Sequence, residues 1–104
     1  MKTEELTGAA LDWAVKKAIK KDGGYFLPSK DYKNISHSTD WSQGGPIIER
    51  EKINLEWKWE WRARLWADSD EVFVAPTPLV AAMRCYVASK LGDEVEVPNE
   101  ILGE

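Results

Sequence analysis

The chain has 104 residues, enough for one buried core and too few for two, so a single domain over 1–104 is expected. Eighteen acidic against 14 basic side chains give a net charge of −4, which argues against phosphate-backbone binding as the main activity and makes nucleic acid an unfavoured partner. Ordinary apolar and charged fractions argue against wholesale disorder. The lone cysteine, Cys85, rules out an intrachain disulfide, and no signal peptide or membrane span is apparent, so a soluble cytoplasmic protein is expected.

Residues 7–21 carry Ala10, Leu11, Ala14, Val15, Ala18 and Ile19 at helical spacing. Thr7 is placed to cap the first turn, four lysines fill the last turns, and Gly23-Gly24 stop the helix. Residues 25–46 have no sustained period and read as loop after a possible short strand from Tyr25 to Leu27, closed by Pro28. Within this region and just beyond it, SHSTDWSQGGPIIERE (36–51) concentrates hydroxyls, Asp40, Trp41, Gln43 and the pair Gly44-Gly45 before Pro46. A tight turn at Gly44-Gly45-Pro46, with Asp40 capping local amides, competes with a ligand-contacting loop whose glycines allow close backbone approach. Ile47 to Glu51 offers a further short strand.

The stretch NLEWKWEWRARLW (54–66) puts four of the six tryptophans within ten residues. Ile53, Leu55, Trp57, Trp59, Trp61, Ala63 and Leu65 alternate with polar or charged residues, a period of two that predicts a strand with one dry face. On that pattern Trp57, Trp59 and Trp61 are expected in the core, and the alternative is an exposed stacking platform. Thirteen extended residues span roughly 43 Å at about 3.3 Å each. A domain of this size measures only about 35 Å. The strand must therefore bend, break or run into a partner, and a homo-oligomer is expected. Asp68-Ser69-Asp70 supplies a turn and EVFVA a return strand, giving a hairpin of about 57–66 against 71–75. Trp41 and Trp66 fall outside the alternation and are candidates for exposure.

Thr77, Pro78 and Gly92 bound a second helix whose small residues opposite its apolar face predict burial nearly all round. On that helix Arg84 either pairs with a carboxylate such as Asp12, Asp40 or Glu49 or points into a pocket. DEVEVP, after the helix, is a short strand or extended tail. Together the elements predict an α+β fold, two helices packed on one face of a small, mainly antiparallel sheet.

Chemistry is sparse. His37 is the sole histidine, and its neighbours Ser36, Ser38 and Asp40 are adjacent in sequence, which is no evidence for a triad. Cys85 lies in a buried helix, no carboxylate pair stands out, and neither a metal nor a cofactor is expected. A non-enzymatic role is the expectation.

Three segments, LTGAALDWAV (6–15), STDWSQGGPIIERE (38–51) and TPLVAAMRCYVASKLGDEVEVP (77–98), together resemble the NinX-like family of tailed-phage proteins, encoded among the small accessory genes of lambdoid and P22-like phages. The resemblance implies a phage origin, action inside the host cytoplasm, and attention to Asp40, Trp41, Gln43, Gly44, Gly45, Pro46 and Arg84. Asp40, Trp41, Gln43, Gly44, Gly45, Arg50 and Arg84 form the expected site for a small anionic, nucleotide-type signal of host antiviral defence, to be bound and sequestered. The competing expectation is a modulator that binds a host enzyme or replication factor.

Overall fold

A 14-residue helix, Pro78–Leu91 (here α3), forms the axis of the computed structural model, which describes residues 1–23, 36–66 and 69–102. Thr77 begins it as expected, its hydroxyl accepting from the Val80 amide at 3.2 Å, and Gly92 ends it in a positive-φ conformation open to glycine. Leu79, Ala81, Ala82, Met83, Cys85, Tyr86 and Val87 are all buried. The absence of a polar face has a direct cause. A three-stranded sheet lies against α3, and the helices α1 (Gly8–Lys21) and α2 (Trp41–Glu51) pack on it as well. The fold is α+β, as predicted.

α1 buries the six residues of its predicted stripe. Thr7 sits at the N-cap position in extended conformation, but its side chain makes no capping bond. Gly23 has φ +73°, consistent with the expected stop; Gly24 and the Tyr25–Pro28 strand lie outside the described residues. The extended segment after α3 runs beside the first residues: Met1 and Val95 exchange backbone bonds, and Thr3 reaches Asp93 and Gly92. A short helix, α4 (Asn99–Leu102), follows.

Two expectations fail here, and both failures matter for function. The 36–51 segment is not a loop with a glycine-proline turn, nor does Ile47–Glu51 form a strand. Residues 41–51 are helical, with Pro46 inside the helix. A proline there removes one bond, the one to the Ser42 carbonyl, and Ser42 is exposed, where water can replace it. Lys52 closes α2 in the left-handed region, and the Ile53 amide donates back to the Ile48 carbonyl.

The thirteen-residue strand also breaks. β1 (Asn54–Trp57) and β2 (Trp61–Arg64) are antiparallel partners, joined by a turn whose central residue, Trp59, has φ +65°. β3 (Phe73–Ala75) then pairs with β2, so the return strand is where it was expected. The sheet order is β1-β2-β3. Breaking the strand resolves its excess length within one chain, and the length argument for an oligomer disappears with it.

Candidate functional site

The alternation in 53–65 assigns faces correctly and burial incorrectly. Cross-strand pairing puts Leu55 opposite Ala63 and Trp57 opposite Trp61, then Trp61 opposite Ala75 and Ala63 opposite Phe73, all on the face turned to α3. Ala63, Phe73 and Ala75 are buried there. β1 is the outer strand, however, and its end overhangs the helix. Trp57 is 60% exposed and Trp59, at the tip, 89% exposed, while Trp61 is half-buried. The expectation that Trp57 and Trp59 are core is therefore overturned: the sheet extends beyond the helix meant to cover it. Trp57 and Trp61 lean on one another at 5.5 Å between ring centroids and 57° between planes, a favourable tilted pair that stiffens the hairpin.

The charged face of the hairpin is largely self-compensated. Arg62 lies 3.7 Å from Glu60 and Arg64 lies 3.8 Å from Glu56. Trp41 and Trp66 are more than half exposed, as anticipated.

The second predicted site falls apart into different roles. Asp40 is the N-cap of α2; it accepts from the amide of Ser42 at 2.9 Å and from its hydroxyl at 2.6 Å, and Gln43 Nε2 donates to its other oxygen at 3.2 Å. These bonds, the Ser42 hydroxyl first, hold the Asp40 carboxyl below its usual range. Gln43 also accepts from the Ser36 amide at 2.7 Å, and Asp12 accepts from the Ser38 amide at 2.9 Å. The segment 36–40 is thus pinned to both α1 and α2. Gly44 faces inward, where an added Cβ would collide with the His37 carbonyl and lie 2.6 Å from a Leu79 methyl. Its role is close packing, not ligand approach.

Trp41, Gly45 and Arg50 do come together. With Ser42, Pro46, Glu49 and Lys52 they line a broad surface depression along α2. Arg50 is already engaged: it is 3.0 Å from Glu51 and 3.9 Å from Asp22, and it donates to the Tyr86 hydroxyl at 3.2 Å. Lys90 completes this cluster, 3.1 Å from Asp22 and 3.4 Å from Glu51, so that the C-terminal ends of α1, α2 and α3 are tied together.

Arg84 joins neither site. It pairs with none of Asp12, Asp40 and Glu49; its guanidinium donates to the backbone carbonyls of Leu6 and Val74, both at 2.7 Å. The cation is spent on closing the edge of β3 and the segment before α1. Burial lowers its pKa, with Glu4 opposing.

His37 and Ser38 are buried, and His37 Nδ1 and Ser38 Oγ have no partner among the described residues, so the Ser-His-Asp set is not assembled as a relay. Burial holds the imidazole below its ordinary 6.5; Asp12 pulls it up and Lys16 pushes it down. The unfolded chain then binds a proton near pH 6.5 that the folded chain resists. Stability is full above that pH and falls as the pH drops below it. Urea midpoints are expected to decline between about pH 7 and pH 5 in the wild type and to flatten in His37→Gln. Equal slopes for the two proteins would contradict the assignment. Cys85 is buried, and its thiol is pushed up to about 12 by burial, with Glu71 adding to the effect, so it is inert as a nucleophile.

Among the described residues no helix is long and apolar enough to cross a membrane. No curated protein matches this chain. A family model described as "Bacteriophage P22, NinX" matches residues 2–90, taking in α1, α2, the whole sheet and nearly all of α3. That stretch is most of the molecule, and the chain belongs to the NinX family of bacteriophage P22.

Proposed function

We propose that this phage protein is a non-enzymatic accessory factor that modulates a host protein by docking the tip of its tryptophan hairpin on it. The observation that carries the reading is Trp59, 89% exposed at a convex tip, with Trp57 also exposed beneath it. An indole left in water forgoes a large burial free energy, and tryptophan is the residue type most enriched at the energetic centres of protein interfaces. Small ligands take concave sites, whereas a projecting tip suits a pocket on a macromolecule. The partner is a protein rather than a nucleic acid because the flanking arginines sit by their own glutamates and the chain is net acidic.

Affinity capture from host lysate tests this, comparing wild type with Trp59→Ser. The wild type is expected to retain a stoichiometric protein partner. The substitution should weaken binding by about 2 kcal/mol, roughly 30-fold, while shifting folding stability by less than about 0.5 kcal/mol. Equal capture by both proteins would refute the proposal.

A second reading keeps the sequestration of a nucleotide-type defence signal, placed in the depression along α2. What favours it is the exposed ring of Trp41 beside Arg50 and Lys52. It ranks second because Glu49 shares the depression and Arg50 is already ion-paired. Calorimetry with cyclic nucleotides and cyclic ADP-ribose isomers would support it by a binding heat lost in Trp41→Ala, and no heat from any of them would remove it.

A further inference from the structure

The two edges of the sheet are treated differently. In an antiparallel ladder, residues alternate between those bonded to the neighbouring strand and those whose amide and carbonyl point away. The bond from the Lys58 amide to the Glu60 carbonyl fixes that phase for the hairpin. Counting back along the register, Glu56–Arg62 and Asn54–Arg64 are the bonded pairs, so Leu55 and Trp57 turn their backbone groups outward. The same phase makes Val74 the outward residue of β3, and its carbonyl is the one that Arg84 caps. The agreement is independent support for the phase. β3 is thus closed at this point by a side chain of its own molecule. β1 is not: among the described residues nothing pairs with its outer side, and Trp57 lies exposed there with Leu55 half-buried.

We propose that the outer edge of β1 is completed by β1 of a second copy, antiparallel about a two-fold axis through Leu55, making one six-stranded sheet. An isologous antiparallel pair can place its axis at a bonded or at a non-bonded pair, so each residue of β1 is a geometric choice. An axis at Asn54 would run Glu56 and Trp57 against Lys52 and Glu51, the left-handed cap and last residue of α2, and an axis at Glu56 would set its two carboxylates face to face. That leaves Leu55 or Trp57. An axis at Trp57 would set Leu55 against Trp59, a positive-φ turn residue unable to continue a ladder. An axis at Leu55 sets all four residues of β1 opposite residues 53–56 of the second copy. The two Leu55 residues exchange both bonds, and the Trp57 amide meets the Ile53 carbonyl of the second copy. Ile53 needs no new partner for its own amide, which already donates to Ile48. Side chains agree as well. Asn54 falls opposite Glu56, so no like charges face each other, and each Glu56 keeps its own Arg64 at 3.8 Å. On the helix side, Leu55 and Trp57 of both copies fill the trench between the two α3 helices. The Trp59 tips then point to opposite ends of the sheet, still free for the host partner proposed above.

Two measurements on the full chain test this. Light scattering at micromolar concentration should give twice the 11.8 kDa chain mass. Leu55→Lys, which sets two cations face to face on the axis, should raise the dimer dissociation constant at least 30-fold. Leu55→Cys should also form a disulfide-linked dimer about tenfold faster than Glu56→Cys, since bonded opposite residues lie about 5.5 Å apart between Cα atoms, within disulfide range. The inert Cys85 leaves the background low. Circular dichroism confirms that each variant folds. A monomeric wild type at 100 μM, including one that dimerises only through a host strand, overturns the proposal. So does equal cross-linking of the two cysteine variants. Trp59→Ser leaves the dimer intact in this scheme, so failure here and failure of the host-docking reading are separable.

Discussion

Gly44→Ala is expected to destabilise the protein by about 3 kcal/mol, the upper end of the cost of overpacking. A methyl group at this position meets the His37 carbonyl, and backbone cannot swing aside as a side chain can; it also lies 2.6 Å from a Leu79 methyl. The substitution must therefore push α2 away from α3, loosening Ile47 in the core and the 36–40 turn that His37 belongs to. The neighbouring Gly45→Ala supplies the control. Its nearest foreign atom would be a Trp41 ring carbon at 3.7 Å, an ordinary contact, so the helix gains by about 0.5–1 kcal/mol from the lost glycine freedom. Urea unfolding followed by circular dichroism compares the two. Opposite signs are the expected result, and a neutral Gly44→Ala would mean that α2 does not approach α3 as described.

Arg84→Met is expected to cost about 2–3 kcal/mol, with charge-assisted bonds to two carbonyls lost and the Leu6 carbonyl left partly buried without them. Arg84→Lys should recover only part of this, because one ammonium cannot span two carbonyls as a planar fork does. Amide exchange should quicken in β3 and in residues before α1, the two segments that the guanidinium joins. Were Arg84 a ligand-binding cation instead, its removal would leave stability nearly unchanged and abolish binding of an anion.

These expectations show where the sequence was legible. Period located α1, whose stripe of buried residues is long, and end signals located α3, which is marked by Thr77, Pro78 and Gly92. Periodicity also assigned the faces of the hairpin. It could not reveal that Trp59 sits in a turn, because an alternating run through a hairpin with an odd-numbered turn keeps its period across the reversal, and only the excess length hinted at a break. α2 was hidden by its own composition: Gly44, Gly45 and Pro46 each disfavour helix. The usable signal was Asp40 followed three residues later by Gln43, the spacing of a capping box; Asp40 does cap the helix, and Gln43 braces its carboxylate rather than returning to the Asp40 amide, which donates to Ser36. The role of Arg84 was not legible, since its partners are backbone carbonyls of Leu6 and Val74 and carry no side-chain signature.

The central claim is that the tryptophan hairpin stands out from the core as a working surface. Labelling with 5-fluorotryptophan gives six resonances, assignable by tryptophan-to-phenylalanine exchange, and their shifts between H2O and D2O read solvent contact ring by ring. Trp59 is expected to approach the full shift of a free indole while Trp61 and Trp13 show much less. A Trp59 resonance as shielded as that of Trp61 in the free protein would contradict the account and return the indoles to the interior.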